Sequence, residues 1–465
     1  MNFALCEREI INRVKVIMFK LIQVKRYIFI LSLAILSFST LAKNNQLSNS
    51  EIEQLTQKIS KVLQEEYIFL DDAKKIADLL NINVKSGKYF NYNTPEELSI
   101  KLTEDLRSIN NDVHLNVLYT SPSVTGMRMI KRGGSEAKIS KPALQTMKRN
   151  NFGFESVKIL DGNIGYINLT SFMNPDYAGE TAVAAMQFLS SSDAIIFDLR
   201  ENRGGAGEMY QLLASYLFDE GPVQLNEIYW PKEDRRYQTW TLPHVPGKRF
   251  PNKKVYILTS GHTGSAAEVF SYSLKHYDRA TLIGETTVGA ANPVSPTKVT
   301  DNFSVWLSKA EAKNPVTKTN WEGIGVQPHI KTTKAAAFNV AHAMALEDLA
   351  KSNPDSKAYY QWFSDIVKAK SNNVEVTAEV LASYVGVYKS ESGDQRVLAV
   401  KNGSLFYGPK HQNMDILTPL SQQTFMLPGN HGFKLKIELV NNEVVGIKRL
   451  FDSGRVIPMK RVVSQ

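Results

Sequence analysis

The segment Leu258-Thr-Ser-Gly-His-Thr-Gly-Ser265-Ala-Ala-Glu268-Val-Phe270 ends an apolar run, passes a glycine-bearing turn and enters a helical pattern at Ser265. A serine at such a junction has chemistry within reach. The first N–H groups of a helix lack intrahelical acceptors, and its N-terminus carries partial positive charge. The N–H of Ala266 is then placed to hold a developing oxyanion while the Ser265 hydroxyl attacks a carbonyl carbon. A second reading is structural: Ser265 and Glu268 also fit a capping box, the serine as N-cap and the glutamate reaching back. A serine hydroxyl needs a base to become a nucleophile, and the local sequence offers His262 in the preceding turn. Ser135-Glu-Ala-Lys138 matches a Ser-x-x-Lys pattern, but it lies in a glycine-flanked basic loop with no helix signal and reads as chance.

The elements that must position Ser265 follow from periodicity. From about residue 155 to 335, strands and helices alternate, the pattern of an α/β core. Ile164–Leu169, Ala194–Asp198 and Lys254–Leu258 read as strands, and the last two are continuous apolar runs suited to burial on both faces. Helices are expected over Ala178–Leu189, from about Gly207 to Phe218, and over Ser265–His276. Before this core, residues 43–110 carry apolar stripes at helical spacing (Ile52, Leu55, Ile59, Val62 and Leu63 form one), and Thr94-Pro95-Glu96-Glu97 opens a third helix. A strand is expected over Asp112–Tyr119, with His114 on its polar face, and residues 120–150 read as loop or linker. After the core, 345–372 reads as a charged helical linker. Beyond 374 the chain is β-rich, with hairpin signals at Asn402-Gly403 and Asn441-Asn442.

Three stretches together resemble the tail-specific (C-terminal-processing) serine peptidases, in the branch that includes the interphotoreceptor retinoid-binding proteins and the tricorn protease core. They are the Ser265 segment continued through Gly284-Glu285-Thr286-Thr287, the turn Asp198-Leu-Arg200-Glu-Asn202-Arg-Gly204-Gly205, and Trp321-Glu322-Gly323-Ile324-Gly325-Val326-Gln327-Pro328. The resemblance implies a crotonase-like α/β spiral core, with an N-terminal helical bundle and a small C-terminal antiparallel β-domain. It implies the layout 1–42 signal peptide, 43–122 helical domain, 150–340 catalytic core and 374–465 β-domain. It also implies a serine endopeptidase acting on unfolded or C-terminal segments of polypeptides, without a cofactor. Members with a Ser–Lys dyad carry a lysine where this chain has Ala290, and Lys298 lies further on in a strand pattern, so a Ser–Lys mechanism is not expected. The tricorn-like branch uses a histidine and a glutamate, which match His114 and Glu322 here. Ser265, His114 and Glu322 are then the expected catalytic group, with Ala266 and Gly204 or Gly205 as oxyanion donors. His114 also reads as a solvated strand residue, Glu322 as a plain loop acid, and Gly204-Gly205 as a tight turn. The tricorn pattern has a serine just before its histidine; Val113 stands there. The family's PDZ insert is not evident. A non-catalytic protein keeping this fold for an apolar ligand or peptide is the rival reading.

Composition narrows the rest. Lys+Arg 55 against Asp+Glu 46 gives +9, but residues 1–42 hold six of those cations and two of the anions, leaving 49 against 44. With no dense basic stripe, nucleic-acid binding is not expected. Lys25-Arg26, the apolar run Tyr27–Phe38 and small residues ending at Ala42 read as a secretory signal cleaved after Ala42; the run is shorter than the ~20 residues of a membrane span. Met18 is an alternative start. The expectation is a periplasmic or secreted protein with no membrane span after cleavage. The single cysteine, Cys6, lies in that segment, which removes disulfides and thiolate metal sites from the remainder.

Overall fold

The computed structural model describes residues 46–92, 94–110, 112–120, 139–372, 374–409 and 413–462. The signal-segment reading over 1–42, Cys6 and the Ser135–Lys138 match all lie outside the described residues. Among the described residues no helix is long and apolar enough to cross a membrane.

Helices α1 (Asn49–Glu66), α2 (Leu70–Lys85) and α3 (Pro95–Arg107) come first. The Ser48–Glu51 capping box opens α1, and Thr94 with Pro95 opens α3. Their apolar stripes, with Ile52, Leu55, Ile59, Ile76, Leu98 and Leu102 buried, form one core. Strand β1 (Asn116–Tyr119) follows. It is shorter than the sequence predicts. Residues 112–115 form a turn instead, because the Asp112 side chain accepts the His114 N–H (2.8 Å) and its carbonyl accepts the Leu115 N–H (3.2 Å). His114 is therefore a turn residue, not a strand residue.

Helix α4 (Lys141–Arg149), capped by Ser140, occupies part of the stretch expected to be linker. Then come β2 (Phe154–Leu160), β3 (Ile164–Leu169), α5 (Pro175–Phe188), β4 (Ala194–Asp198), α6 (Gly207–Ser215), β5 (Gln224–Trp230), β6 (Arg235–Trp240), β7 (Lys254–Thr259), α7 (Ala266–His276) and β8 (Thr281–Gly284). The chain continues through β9 (Val294–Lys298), β10 (Phe303–Ser308), β11 (Glu311–Lys313) and β12 (Ile330–Lys331). The central sheet has the order β12-β8-β7-β4-β3-β2. Pairing is parallel from β3 to β12 and antiparallel only at β2. Side chains alternate across it. Ile195, Phe197 and Ile257 enter the core covered by α5, α6 and α7, while Ala194, Ile196, Tyr256 and Leu258 face the opposite side. That opposite side is covered by α8 (Ala337–Ser352) and α9 (Lys357–Asn372). These helices span the expected linker, so 345–372 is core packing. The alanine-rich stripe Ala337, Ala341 and Ala345 lets α8 lie close to the strands.

Two connections matter for the site. Strand β10 leaves the core and pairs antiparallel with β1 (Asn116 opposite Trp306), and Phe303, Val305 and Leu307 complete the N-terminal core. The turn bearing His114 is thereby carried to the sheet end where α7 begins. At the other end of the chain, Gly386–Arg461 form a nine-stranded antiparallel sheet. It docks on α9, with buried Lys434 donating to the Trp362 carbonyl (2.8 Å) and Trp362 Nε1 donating to the His431 carbonyl (2.7 Å).

Candidate active site

At the C-terminal end of β7 the chain must reverse in five residues, Ser260–Gly264, before α7 begins. The turn is sewn to the segment after β4. The Ser260 hydroxyl donates to the Arg200 carbonyl (2.5 Å), the Thr263 hydroxyl to the Leu199 carbonyl (2.8 Å), and the Gly264 N–H to the Asn202 carbonyl (3.0 Å). Ser265 is held at φ 53°, ψ −122°, a conformation that costs an L-residue of this kind on the order of 1–3 kcal/mol. The capping box read from the sequence is present, with the Glu268 carboxylate accepting the Ser265 N–H (2.8 Å). An ordinary N-cap has extended backbone, which Ser265 lacks, and the strained turn presents a half-buried Ser265 at the helix N-terminus.

Gly204 packs directly against this turn. At φ 98°, a Cβ placed there would lie 2.7 Å from the Ser265 Cβ and 2.9 Å from the Ala266 nitrogen. The Gly204 N–H is already donated to the Asn202 side-chain oxygen (2.8 Å), so Gly204 is not an available oxyanion donor. Its part is close approach. Gly205 pairs across a parallel bridge with Phe172. The Ala266 N–H has no acceptor among the described residues. Gly204→Ala adds both a steric overlap and a disfavoured φ. We expect it to cost on the order of 2–4 kcal/mol, read as a lower melting temperature, and to displace Ser265.

The second half of the site is built on the turn of residues 112–115. Arg107 clamps it from α3, donating to the Leu115 (2.7 Å) and Val113 (2.8 Å) carbonyls. His114 Nδ1 lies 3.8 Å from Glu322 Oε1 and 3.8 Å from Asp112 Oδ1. Asp112, which the sequence reading missed, is 2% exposed and accepts the Tyr67 hydroxyl at 2.7 Å. Its signal was the Asp-x-His spacing of an Asx turn. Glu322 is anchored by Ala291 and Asn292, whose N–H groups donate to Oε2 at 2.8 and 2.7 Å. Burial pushes the Glu322 carboxyl up to about 8, against the lowering effect of those two donors, and the negative charges of Asp112 and Glu268 push the same way as burial.

One turn joins the two halves. Gly289 and Ala290 donate their N–H groups to Glu268 (2.7 and 2.9 Å), while Ala291 and Asn292 donate theirs to Glu322. Four successive N–H groups are thus divided between the acid that holds the Ser265 backbone and the acid that faces His114. Thr287 also donates to Glu268, whose carboxyl burial raises. Gly289, at φ 88°, lets this turn lie on residues 323–325. The expected place of a dyad lysine, Ala290, is therefore a backbone contact to a buried acid. Lys298 is 70% exposed and pairs with Asp301. The rival base His262 is half exposed and is held by Glu201 (3.2 Å) and Lys334 (3.3 Å).

Comparison with known proteins follows the same boundaries. Residues 163–332 match the family described as Peptidase family S41. Residues 41–149 match the one described as the N-terminal domain of Peptidase_S41 in eukaryotic IRBP. A "Probable CtpA-like serine protease" of Staphylococcus epidermidis is 28% identical over 242 residues, 51% of this chain and 44% of the relative. "Carboxy-terminal processing protease CtpA" of Bacillus subtilis is 24% identical over 247 residues, 52% of this chain and 51% of the relative. The chain thus spans about half the length of these relatives. Among solved structures, the photosystem II D1 C-terminal processing protease aligns at TM-score 0.39 and 14% identity, over 61% of this chain and 93% of that one.

Proposed function

The chain belongs to peptidase family S41 through residues 163–332, and from that premise we propose that it is a serine endopeptidase cleaving unfolded or C-terminal segments of polypeptides. The observation that carries the reading is the common turn at 289–292, which ties the strained nucleophile turn to the His114–Glu322 pair. In the proposed reaction His114 Nε2 accepts the Ser265 proton while Oγ attacks the peptide carbonyl carbon. The oxyanion is held by the Ala266 N–H, with the 204–205 turn as the wall opposite. The C–N bond breaks, the leaving amine takes the proton from His114, and water hydrolyses the acyl-enzyme by the reverse proton path. The 3.8 Å between Nδ1 and Glu322 Oε1 is longer than a hydrogen bond, and such contacts tighten when substrate binds. Glu322 as carboxylate then accepts Nδ1–H and leaves Nε2 basic.

The parallel order of β3 to β12 supports a crotonase-like spiral for the core at 150–340. The apolar cluster of the last sheet supports a 374–465 β-domain, and the cluster of the first helices, completed by Phe303, Val305 and Leu307 of β10, supports a 43–122 helical domain built against that strand. The apolar run before Ala42 supports export to the periplasm or medium.

A fluorophosphonate probe on the purified chain tests the reading. Covalent labelling that disappears in Ser265→Ala is the expected result. A wild-type chain that is folded yet unlabelled and inactive on a loosely folded polypeptide would favour a non-catalytic binding protein.

A further inference from the structure

Two carboxylates converge on His114 Nδ1, Asp112 from the same turn and Glu322 from the segment facing it. Asp112 Oδ1 and Glu322 Oε1 each lie 3.8 Å from Nδ1, and one donor atom from each of the three residues falls within 4.8 Å of the others. With a third side of at most 4.8 Å, such a triangle has its centre no more than ~2.5 Å from each corner, within a few tenths of an ångström of zinc–nitrogen and zinc–carboxylate bond lengths. Contacts of 3.8 Å are too long to be hydrogen bonds. The Glu322 side chain is 10% exposed, and its inward oxygen Oε1, which the active form uses only for Nδ1–H, has no hydrogen-bond donor among the described residues.

The other atoms of the group are held from behind, as cation ligands require. Glu322 Oε2 is fixed by the Ala291 and Asn292 N–H groups, and Asp112 Oδ2 by the Tyr67 hydroxyl, itself donated to by Asn110 at 2.7 Å. Two carboxylate oxygens and one imidazole nitrogen form a ligand set for a first-row divalent cation such as Zn2+. The His114 side chain is 15% exposed, which leaves an edge open to solvent for entry and for a fourth ligand from water.

We infer that Asp112, His114 and Glu322 form an inhibitory divalent-cation site whose occupation by Zn2+ switches the peptidase off. The inference rests on the reading of His114 as the base. The proton inventory gives the mechanism. In the active form Nδ1 carries the ring proton and Nε2 has the lone pair that accepts the Ser265 proton. A cation on Nδ1 binds the other tautomer of the neutral ring, in which the single proton has moved through solvent from Nδ1 to Nε2 and the Nδ1 lone pair goes to the cation. Nε2 then carries that proton and can no longer accept the one from Ser265. The cation also occupies the Glu322 oxygen that would otherwise stabilise the imidazolium.

Isothermal titration of Zn2+ into untagged, EDTA-stripped Ser265→Ala protein measures the site without any need for activity. We expect one tight site per chain, weakened at least ~10-fold in both Asp112→Asn and Glu322→Gln. Glu322→Gln keeps an oxygen for the Ala291 and Asn292 N–H groups, so it serves if Asp112→Asn fails to fold. In the wild type, fluorophosphonate labelling of Ser265 should fall with the same Zn2+ midpoint and return with EDTA. Binding that both substitutions leave unchanged, or no binding at millimolar Zn2+, overturns the site. Site-specific binding with undiminished labelling overturns the switch. Zn2+ binding in a wild-type chain that never labels retains the site while removing the peptidase reading.

Discussion

Replacing His114 with alanine is expected to lower kcat by ~10^4–10^6-fold on an unfolded polypeptide substrate, with KM little changed. The size follows from the proposed chemistry. Without an imidazole nothing near the nucleophile takes the Ser265 proton, and neutral hydroxyl attack on an amide is slow. What survives is binding and the Ala266 N–H. Two groups that act in one proton transfer are strongly non-additive, so Ser265→Ala with His114→Ala should be about as slow as either alone. His262→Ala separates this reading from its rival. His262 is engaged with Glu201 and Lys334 at the surface of the nucleophile turn. Its loss should change kcat only a few-fold. A His262→Ala loss as large as that of His114→Ala would move the base to the turn beside Ser265 and end the present assignment. Steady-state kinetics of the wild type and the four variants on one substrate decides the matter.

What the sequence made legible follows the range of the forces involved. The buried strands Ala194–Asp198 and Lys254–Thr259 were readable because a strand covered on both faces writes an unbroken apolar run. The first helices announced themselves through caps and stripes within one or two turns of chain. The turn that carries Ser265 was readable from its strand, glycine and helix order. Two errors have different origins. The stretch 345–372 is helical as expected but is not a linker: it packs on the sheet through Leu346, Leu349, Tyr360, Phe363, Ile366 and Val367, a stripe interleaved with the charged residues that suggested a linker. The strand expected at Asp112 begins only at Asn116, because an Asx turn competes locally with the ladder. Long-range features were invisible. Nothing in the sequence places Asp112 beside Glu322 or divides the N–H groups of 289–292 between two acids. Those contacts depend on β10 pairing with β1 across almost two hundred residues. Gly204 could be read as functional from its motif. Only the structure shows that it serves by having no side chain, since its N–H is spent on Asn202.

Glu322→Gln should trade activity for stability, and both halves carry a sign that can be checked in EDTA. Glu322 titrates near 4.5 as an ordinary side chain and near 8 in the folded chain, burial being the main cause. The folded state therefore holds this proton more tightly than the unfolded state. Its contribution to stability is complete below pH ~4.5 and is lost as pH rises to ~8, at ~1.4 kcal/mol per unit, or several kcal/mol in all as an upper bound. Glutamine cannot ionise, and its amide oxygen still accepts from Ala291 and Asn292. Relative to wild type, the variant should gain stability with rising pH across that window, read as a higher melting temperature at pH 8–9 and no gain near pH 4.5. Activity moves the other way. With its oxygen held by the two N–H groups, the amide turns its NH2 toward His114 Nδ1. A donor there favours the tautomer with the proton on Nε2, the wrong one for a base. The comparable loss of tautomer control in a serine triad costs ~10^4-fold in kcat, and Asp112 Oδ1, 3.8 Å from the same nitrogen, offers partial compensation, so ~10^2–10^4-fold is expected. In the wild type, kcat/KM should climb through pH ~8 as Glu322 becomes the carboxylate that accepts Nδ1–H, and this limb should be absent from the residual activity of Glu322→Gln. A variant that loses stability at pH 8 while keeping wild-type kcat would make Glu322 a structural acid anchoring the 291–292 turn, and would leave Asp112 as the carboxylate that orients His114.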